Sequence, residues 1–209
     1  MEINHIRGFC NFQDIYKFYV EKAEDGSVFV ELGSLWGLST CAMAHFIKES
    51  GKNIKFFSVD FWDLRGITDK KWSSEDKQYF KALGLAETED VCYQSFLTMA
   101  FALDLQNFVF PIKLSTKDAS KLFKDNSIDF LFIDANHSRE GVTADIDNWK
   151  NKVKLDGIIA GHDYDWPEIK EVVDKTFSRI VQRGTSWLSK PEYINYEISS
   201  DIGRSAVAV

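Results

Sequence analysis

Short β-branched or aromatic runs alternate with helical periods along most of this chain, and that alternation constrains the fold more than any other feature. SVFVEL (27–32), IKFFSVD (54–60), FVFPIK (108–113), IDFLFID (128–134) and DGIIAGHD (156–163) each read as a buried strand. Helical patterns lie between them at 39–50, closed by Gly51, at 117–124, at 139–153 and at 167–178, where Pro167 suits the first helical position. Phe12, Ile15, Tyr16 and Tyr19 place one more helix over 11–24, ahead of the first strand. Strands that alternate with helices need crossovers, so the expected architecture is α/β: a mostly parallel sheet with helices on both faces.

One interval breaks the rhythm. Residues 61–106 exceed a single crossover and carry their own helical patterns near 74–83 and 89–104, which predicts an inserted helical segment. The tail, 179–209, contains RIVQR, TSWLSK and YINYEI, short runs that suit antiparallel strands finishing a sheet edge. No repeat and no Pro/Gly/Ser linker divides the 209 residues, so a single domain is expected over 1–209.

Composition narrows the partners. Lys and Arg total 25 against 32 Asp and Glu, a net charge of −7, which repels a phosphate backbone and makes nucleic acid a poor partner. Cys10, Cys41 and Cys92 fit neither a disulfide framework nor a metal knuckle, and point to a reducing compartment. The longest stretch free of Asp, Glu, Lys and Arg, Leu32 to Ile47, is too short and too polar to span a membrane. The amino terminus has no signal-peptide pattern, so a cytoplasmic location is expected.

Three segments carry chemistry. In VFVELGSLWGLST (28–40) a strand ends at Glu31, and Gly33 and Gly37 flank a loop that opens a helix. Backbone N–H groups there would face a ligand, although an ordinary strand-to-helix turn has the same string. The dinucleotide pattern GxGxxG is absent. Asp60 closes the next strand, 27 residues after Gly33, where about 20 is usual for a carboxylate that accepts ribose hydroxyls; a solvent-facing aspartate is the alternative. Finally FIDANHS (132–138) and AGHDYD (160–165) end two strands that, if adjacent, bring Asp134 and Asp163 to one edge about 5 Å apart. Two such carboxylates repel unless a proton or cation separates them, and oxygen donors suit Mg²⁺ better than Zn²⁺. His137 and His162 stand beside them as candidate bases, or else as a helix cap and a core residue.

Taken together, ELGSLWGLS, SVDFWD, SIDFLFIDANHSREGVTADIDNW and GIIAGHDYD resemble class I S-adenosylmethionine-dependent methyltransferases over about residues 26–190. More narrowly, they are similar to the small O-methyltransferases of the catechol, macrolide-sugar and cephalosporin-associated type. The resemblance implies a Rossmann-like seven-stranded sheet with the last strand antiparallel and S-adenosylmethionine over the strand ends of the first half. Glu31, Gly33, Ser34, Gly37 and Ser39 would then surround the methionine moiety, Asp60 with its neighbour Phe61 the ribose, and Ser115 and Thr116 the adenine. By the same resemblance Asp134 and Asp163 are metal ligands, with Mg²⁺ the metal they suit, Asp134 also borders the cofactor, and His137 is the base. One departure is visible, because His162 stands where those relatives carry an acidic residue.

The expected activity is O-methylation of a small-molecule hydroxyl. A non-catalytic S-adenosylmethionine-binding module and an NAD-dependent oxidoreductase remain as alternatives, the latter lacking its glycine pattern, and a homo-oligomer is left open. Residues 61–106, with Trp62, Trp72, Tyr79 and Phe80, would close over the acceptor, unless those aromatics serve helix packing. Gly33→Val is expected to fill cofactor space without disturbing the fold.

Overall fold

The computed structural model describes residues 3–62, 74–85 and 90–189. Helix α1 (Gln13–Lys22) precedes β1 (Val28–Leu32), and then come α2 (Leu38–Ser50), β2 (Lys55–Asp60), α3 (Ser74–Ala82), α4 (Val91–Ala102) and β3 (Phe110–Lys113). The second half runs α5 (Thr116–Ser120), β4 (Ile128–Ile133), α6 (Arg139–Trp149), β5 (Val153–Gly161), α7 (Pro167–Thr176), β6 (Val181–Arg183) and β7 (Ser186–Leu188). The strands form one seven-stranded sheet in the order β3-β2-β1-β4-β5-β7-β6. Strands β1 to β5 pair in parallel and β7 runs antiparallel to both β5 and β6, as the resemblance implies.

Alternate residues of each strand feed two cores, because successive side chains leave a strand on opposite faces. Phe29, Phe56, Phe130, Phe132 and Ile158 face α1, α2 and α4. Val30, Leu32, Val59, Leu131 and Ile159 face α6 and α7, whose Ile146, Trp149, Ile169 and Val173 are buried against them. Aromatic side chains of α1 and of Phe12, just before it, fasten the amino-terminal helix to β4: Tyr19 stacks on Phe130 at 4.6 Å and the Phe12 ring centroid lies 4.5 Å from that of Phe132. Pro111 sits in β3, where a residue without N–H is tolerated because this edge strand pairs only with β2.

Several boundaries differ from the sequence pattern. The helix expected over 139–153 stops at Trp149, whose fully buried indole donates to the Thr116 carbonyl at 3.1 Å; a 3-10 turn, Lys150–Lys152, then leads straight into β5. Strand β5 therefore begins at Val153, paired with Ile128, and a bulge-like register shift follows before Phe130 meets Ile158. The helix expected over 117–124 is only Thr116–Ser120, begun by Ser115 as its cap.

In the inserted interval, α3 and α4 match the two helical patterns. Trp62 and Phe80 belong to the core, with Trp62 stacked on Phe96 at 5.7 Å and Phe80 at 5.3 Å from Trp36. Tyr79 is half-buried against the same core, so these aromatics act in helix packing. Trp72 and the YINYEI run lie outside the described residues. No described helix is long and apolar enough to cross a membrane.

Strand order reverses direction between β1 and β4, and at such a switch point the loops leaving the carboxyl ends part to leave a crevice. Gly161 ends β5 beside this crevice opposite Trp187, and a Cβ there would lie 2.6 Å from the Trp187 ring and 2.7 Å from the Ile133 carbonyl oxygen. Gly161→Ala is therefore expected to lower unfolding free energy by about 1–3 kcal/mol, measured as the shift in urea midpoint at constant slope.

Candidate active site

The strand register builds the site. Leu32 pairs with Ile133, and Ile133 with Gly161, so the residues that follow β1, β4 and β5 emerge side by side. The bonding continues one residue past the strands: Asp134 N–H donates to the Leu32 carbonyl at 2.8 Å and His162 N–H to the Ile133 carbonyl at 3.1 Å. Asp134, His162 and Asp163 thereby offer one donor atom each within 4.8 Å of one another. The expectation that Asp134 and Asp163 meet at one sheet edge agrees with this geometry.

His137 joins them from the loop before α6. Its Nε2 lies 3.4 Å from Asp134 Oδ1 and 3.2 Å from Asp163 Oδ2. Ser138, not His137, caps α6, its Oγ accepting from the Gly141 N–H at 3.0 Å. That leaves the His137 imidazole turned to the carboxylates, about two-fifths exposed and edge-on to Trp166 at 5.4 Å. His162 is buried, with Nδ1 2.9 Å from Asp163 Oδ1 and 3.8 Å from Asp134 Oδ1.

These neighbours move the ionisation of every member. Burial raises the Asp134 carboxyl above its ordinary range, against the hydrogen bond from His137. His137 is raised by its bond to Asp134. Burial opposes the charged form of His162, but the bond to Asp163 and the Asp134 charge outweigh it and the pKa rises. For Asp163 the desolvation is likewise outweighed, here by His162 and His137, and its pKa falls. The cluster attracts positive charge.

The glycine loop after β1 packs against the backbone of this cluster. Gly33 has φ +93, and a Cβ on it would lie 2.1 Å from the Asp134 carbonyl oxygen. The absence of a side chain at this position thus serves the contact between the β1 and β4 loops, which corrects the expectation that Gly33→Val spares the fold. Asp60 faces the loop: Oδ2 accepts from the Ser34 and Leu35 N–H groups at 2.7 and 2.8 Å, and Oδ1 from Trp62 N–H at 2.7 Å. Phe61 beside it is about half exposed, as is Leu35.

The other residues assigned to the cofactor are engaged within the protein. Glu31 is buried beneath the loop, where Oε1 accepts from the Tyr16 hydroxyl at 2.8 Å and Oε2 from Thr40 and Ser58. Ser34 and Ser39 are buried beside it, Ser34 Oγ bonding Thr40 Oγ1 at 2.7 Å. Gly37 has φ 90 at the amino end of α2. Ser115 caps α5 and bonds Asp118, while Thr116 donates to the buried Asp145 at 2.5 Å.

Residues 30–164, more than half of the chain, match the model of a family described as a methyltransferase domain, and the chain belongs to that family. Its class I, S-adenosylmethionine-dependent character follows from the same match together with the sheet order. Among similar solved structures, the O-methyltransferase NovP is 17% identical, covering 85% of this chain and 78% of its own, with a TM-score of 0.60. CalS11, a calicheamicin methyltransferase, is 12% identical over 86% of this chain and 77% of its own, with a TM-score of 0.55. A precorrin 8w decarboxylase of Methanobacterium thermoautotrophicum, 14% identical over 90% and 94%, has a TM-score of 0.53. At such identities the likeness is one of fold, and the fold alone does not choose the acceptor. No curated protein matches the sequence significantly.

Two outcomes are expected here. Gly33→Val should destabilise the chain by ~2 kcal/mol or more, seen in chemical denaturation without any ligand, because the overlap is with backbone. Burial lifts Glu31 from 4.5 to about 7, against the hydrogen bonds of Thr40, Ser39 and Tyr16. An acid raised by folding contributes stability below its unfolded pKa that is lost as pH climbs through the folded value. Unfolding free energy should thus decline between about pH 4.5 and 7, and Glu31→Gln should flatten that decline by roughly 1–3 kcal/mol in urea titrations across this window.

Proposed function

We propose that this protein transfers a methyl group from S-adenosylmethionine to a hydroxyl oxygen of a small molecule, with His137 accepting the proton and Asp134 and Asp163 holding a divalent cation. The observation that carries the reading is the position of His137 Nε2, within 3.4 Å of both carboxylates at the strand-end crevice. Bound S-adenosylmethionine supplies an already activated sulfonium methyl, so the protein's task is alignment of the acceptor and removal of its proton. His137 is suited to the second part. Its imidazole is partly exposed, its pKa is raised by Asp134, and the carboxylates stabilise the imidazolium that proton transfer creates. A divalent ion on Asp134 and Asp163 would lower the pKa of an acceptor hydroxyl beside His137.

The loop side fits an adenosine. Asp60 Oδ1 takes one hydrogen bond, from Trp62 N–H, and keeps a lone pair for a ribose hydroxyl, while exposed Phe61 and Leu35 form an apolar ledge next to it. In this reading Glu31, Gly33, Ser34, Gly37 and Ser39 shape the loop that receives the methionine moiety. Residues 1–209 act as one domain, with 61–106 on the acceptor side, and the protein works in a cytoplasm.

The test is S-adenosylhomocysteine production from a panel of hydroxyl acceptors. His137→Ala should keep cofactor affinity and lose ~10²- to 10⁴-fold in turnover, the usual contribution of a positioned base. Calorimetry should show S-adenosylhomocysteine binding and no NAD binding, with Asp60→Ala weaker by ~1–3 kcal/mol. Full activity in His137→Ala would remove the base assignment, and unchanged affinity in Asp60→Ala the ribose assignment.

A further inference from the structure

We propose that His162 is itself a ligand of the divalent cation, through Nδ1, so that the site is a one-histidine, two-carboxylate set that favours Mn²⁺ and similar transition ions over Mg²⁺. The proposal rests on the cation part of the function above and adds a donor and a selectivity to it.

Backbone geometry aims the donor. His162 and Asp163 are neighbours in sequence, and in extended chain their side chains would leave on opposite sides. Asp163 instead adopts the left-handed conformation, φ 54, which turns its carboxylate back beside the His162 ring. Nδ1 then faces Asp163 Oδ1 at 2.9 Å and Asp134 Oδ1 at 3.8 Å. Metal–donor bonds of about 2.1 Å place neighbouring donors about 3 Å apart and opposite ones about 4.2 Å apart. The two distances from Nδ1 are close to those values, and the three donor atoms lie within 4.8 Å of one another, so small side-chain adjustments would let them share one ion.

Hydrogen bonding on the far side of the ring decides which nitrogen is available. His162 Nε2 lies 3.0 Å from Asn11 Oδ1 and 2.7 Å from Thr185 Oγ1. Asn11 Oδ1 can only accept, so its 3.0 Å contact is a hydrogen bond when Nε2 carries the hydrogen, while Thr185 Oγ1, which accepts from Asn11 Nδ2 at 3.0 Å, can take either role toward the ring. Nδ1 is the nitrogen that faces two anionic oxygens, where its hydrogen bonds Asp163 in the metal-free protein and a cation would take that hydrogen's place. A ligating histidine that donates its other N–H to a fixed acceptor is the usual way such a ligand is oriented. Phe12 and Phe9, with ring centroids 5.0 and 5.6 Å from that of His162, hold the imidazole plane, and the side chain is about 5% exposed.

Selectivity follows from the nitrogen. Mg²⁺ binds oxygen in near-ideal octahedra and gains little from an imidazole, whereas affinity of nitrogen-containing sites rises through the first-row divalent ions.

The experiment is direct metal binding to the chelator-stripped full chain, with Mn²⁺ and Mg²⁺ titrated calorimetrically and the Mn²⁺ complex measured by pulsed electron paramagnetic resonance. The unsubstituted protein should show nitrogen coupling to Mn²⁺ and tighter binding of Mn²⁺ than of Mg²⁺. His162→Asp, an all-oxygen set, should abolish the coupling and reduce the Mn²⁺/Mg²⁺ affinity ratio at least tenfold. Asn11→Ala, which leaves all three donors in place, should weaken Mn²⁺ ~10- to 100-fold. Mn²⁺ binding without nitrogen coupling would overturn the His162 assignment and leave the two-carboxylate cation site standing; this comparison needs no variant to fold. Failure of both ions to bind at millimolar concentration would overturn both.

Discussion

At the centre of the sheet the backbone of Gly33 approaches the carbonyl of Asp134 so closely that no side chain fits between them. That contact ties the loop after β1 to the loop after β4 at the place where strand order reverses. Both halves of the crevice depend on it. On one side it sets the path of Ser34 and Leu35, whose N–H groups reach Asp60; on the other it sets where Asp134 stands relative to His162 and Asp163. A parallel sheet brings the strand ends to one edge, but only a close loop-to-loop contact fixes the residues just beyond that edge, where regular pairing stops.

Much of this arrangement follows from patterns a sequence displays. The five parallel strands are apolar on both faces, a pattern that a one-sided antiparallel sheet would not produce, and their alternation with helices leaves little freedom in topology. The approach of Asp134 and Asp163 was legible for the same reason: each ends a strand, and adjacent parallel strands share an edge. The register of Ile133 against Gly161 supplies the rest.

What the sequence did not display are contacts between side chains distant along the chain. Asn11 and Thr185 reach His162 across 151 and 23 residues, and no local spacing signals either. Glu31, which the resemblance sets beside the methionine moiety, lies within β1 on the face that points inward and meets Tyr16 and Ser58 there. Asp145 gives even less warning, being one of three acidic residues in α6 and the one turned under Thr116. The helix expected over 117–124 is likewise shorter, Thr116–Ser120, and Trp62, Tyr79 and Phe80 take the helix-packing alternative. Local periodicity shows that a face is apolar but not whether its partner is a ligand or another helix.

Electrostatics joins the two sides of the crevice. Asp134, His137 and His162 all have ionisation shifted toward the protonated form, while Asp163, flanked by both imidazoles, is held ionised. Burial lifts Asp134, while the carboxylates lift both imidazoles and the imidazoles lower Asp163, so the carboxylates draw positive charge to this edge. A metal ion would satisfy the same demand, and so would the positive sulfonium of a methyl donor in the methyl-transfer reading. In that reading, transfer would neutralise the sulfonium while the acceptor's proton would pass to the carboxylate-flanked His137. The positive charge would thus move from the donor to an imidazole that already has two carboxylate oxygens beside it, and the neutral product would lose the attraction that held its precursor.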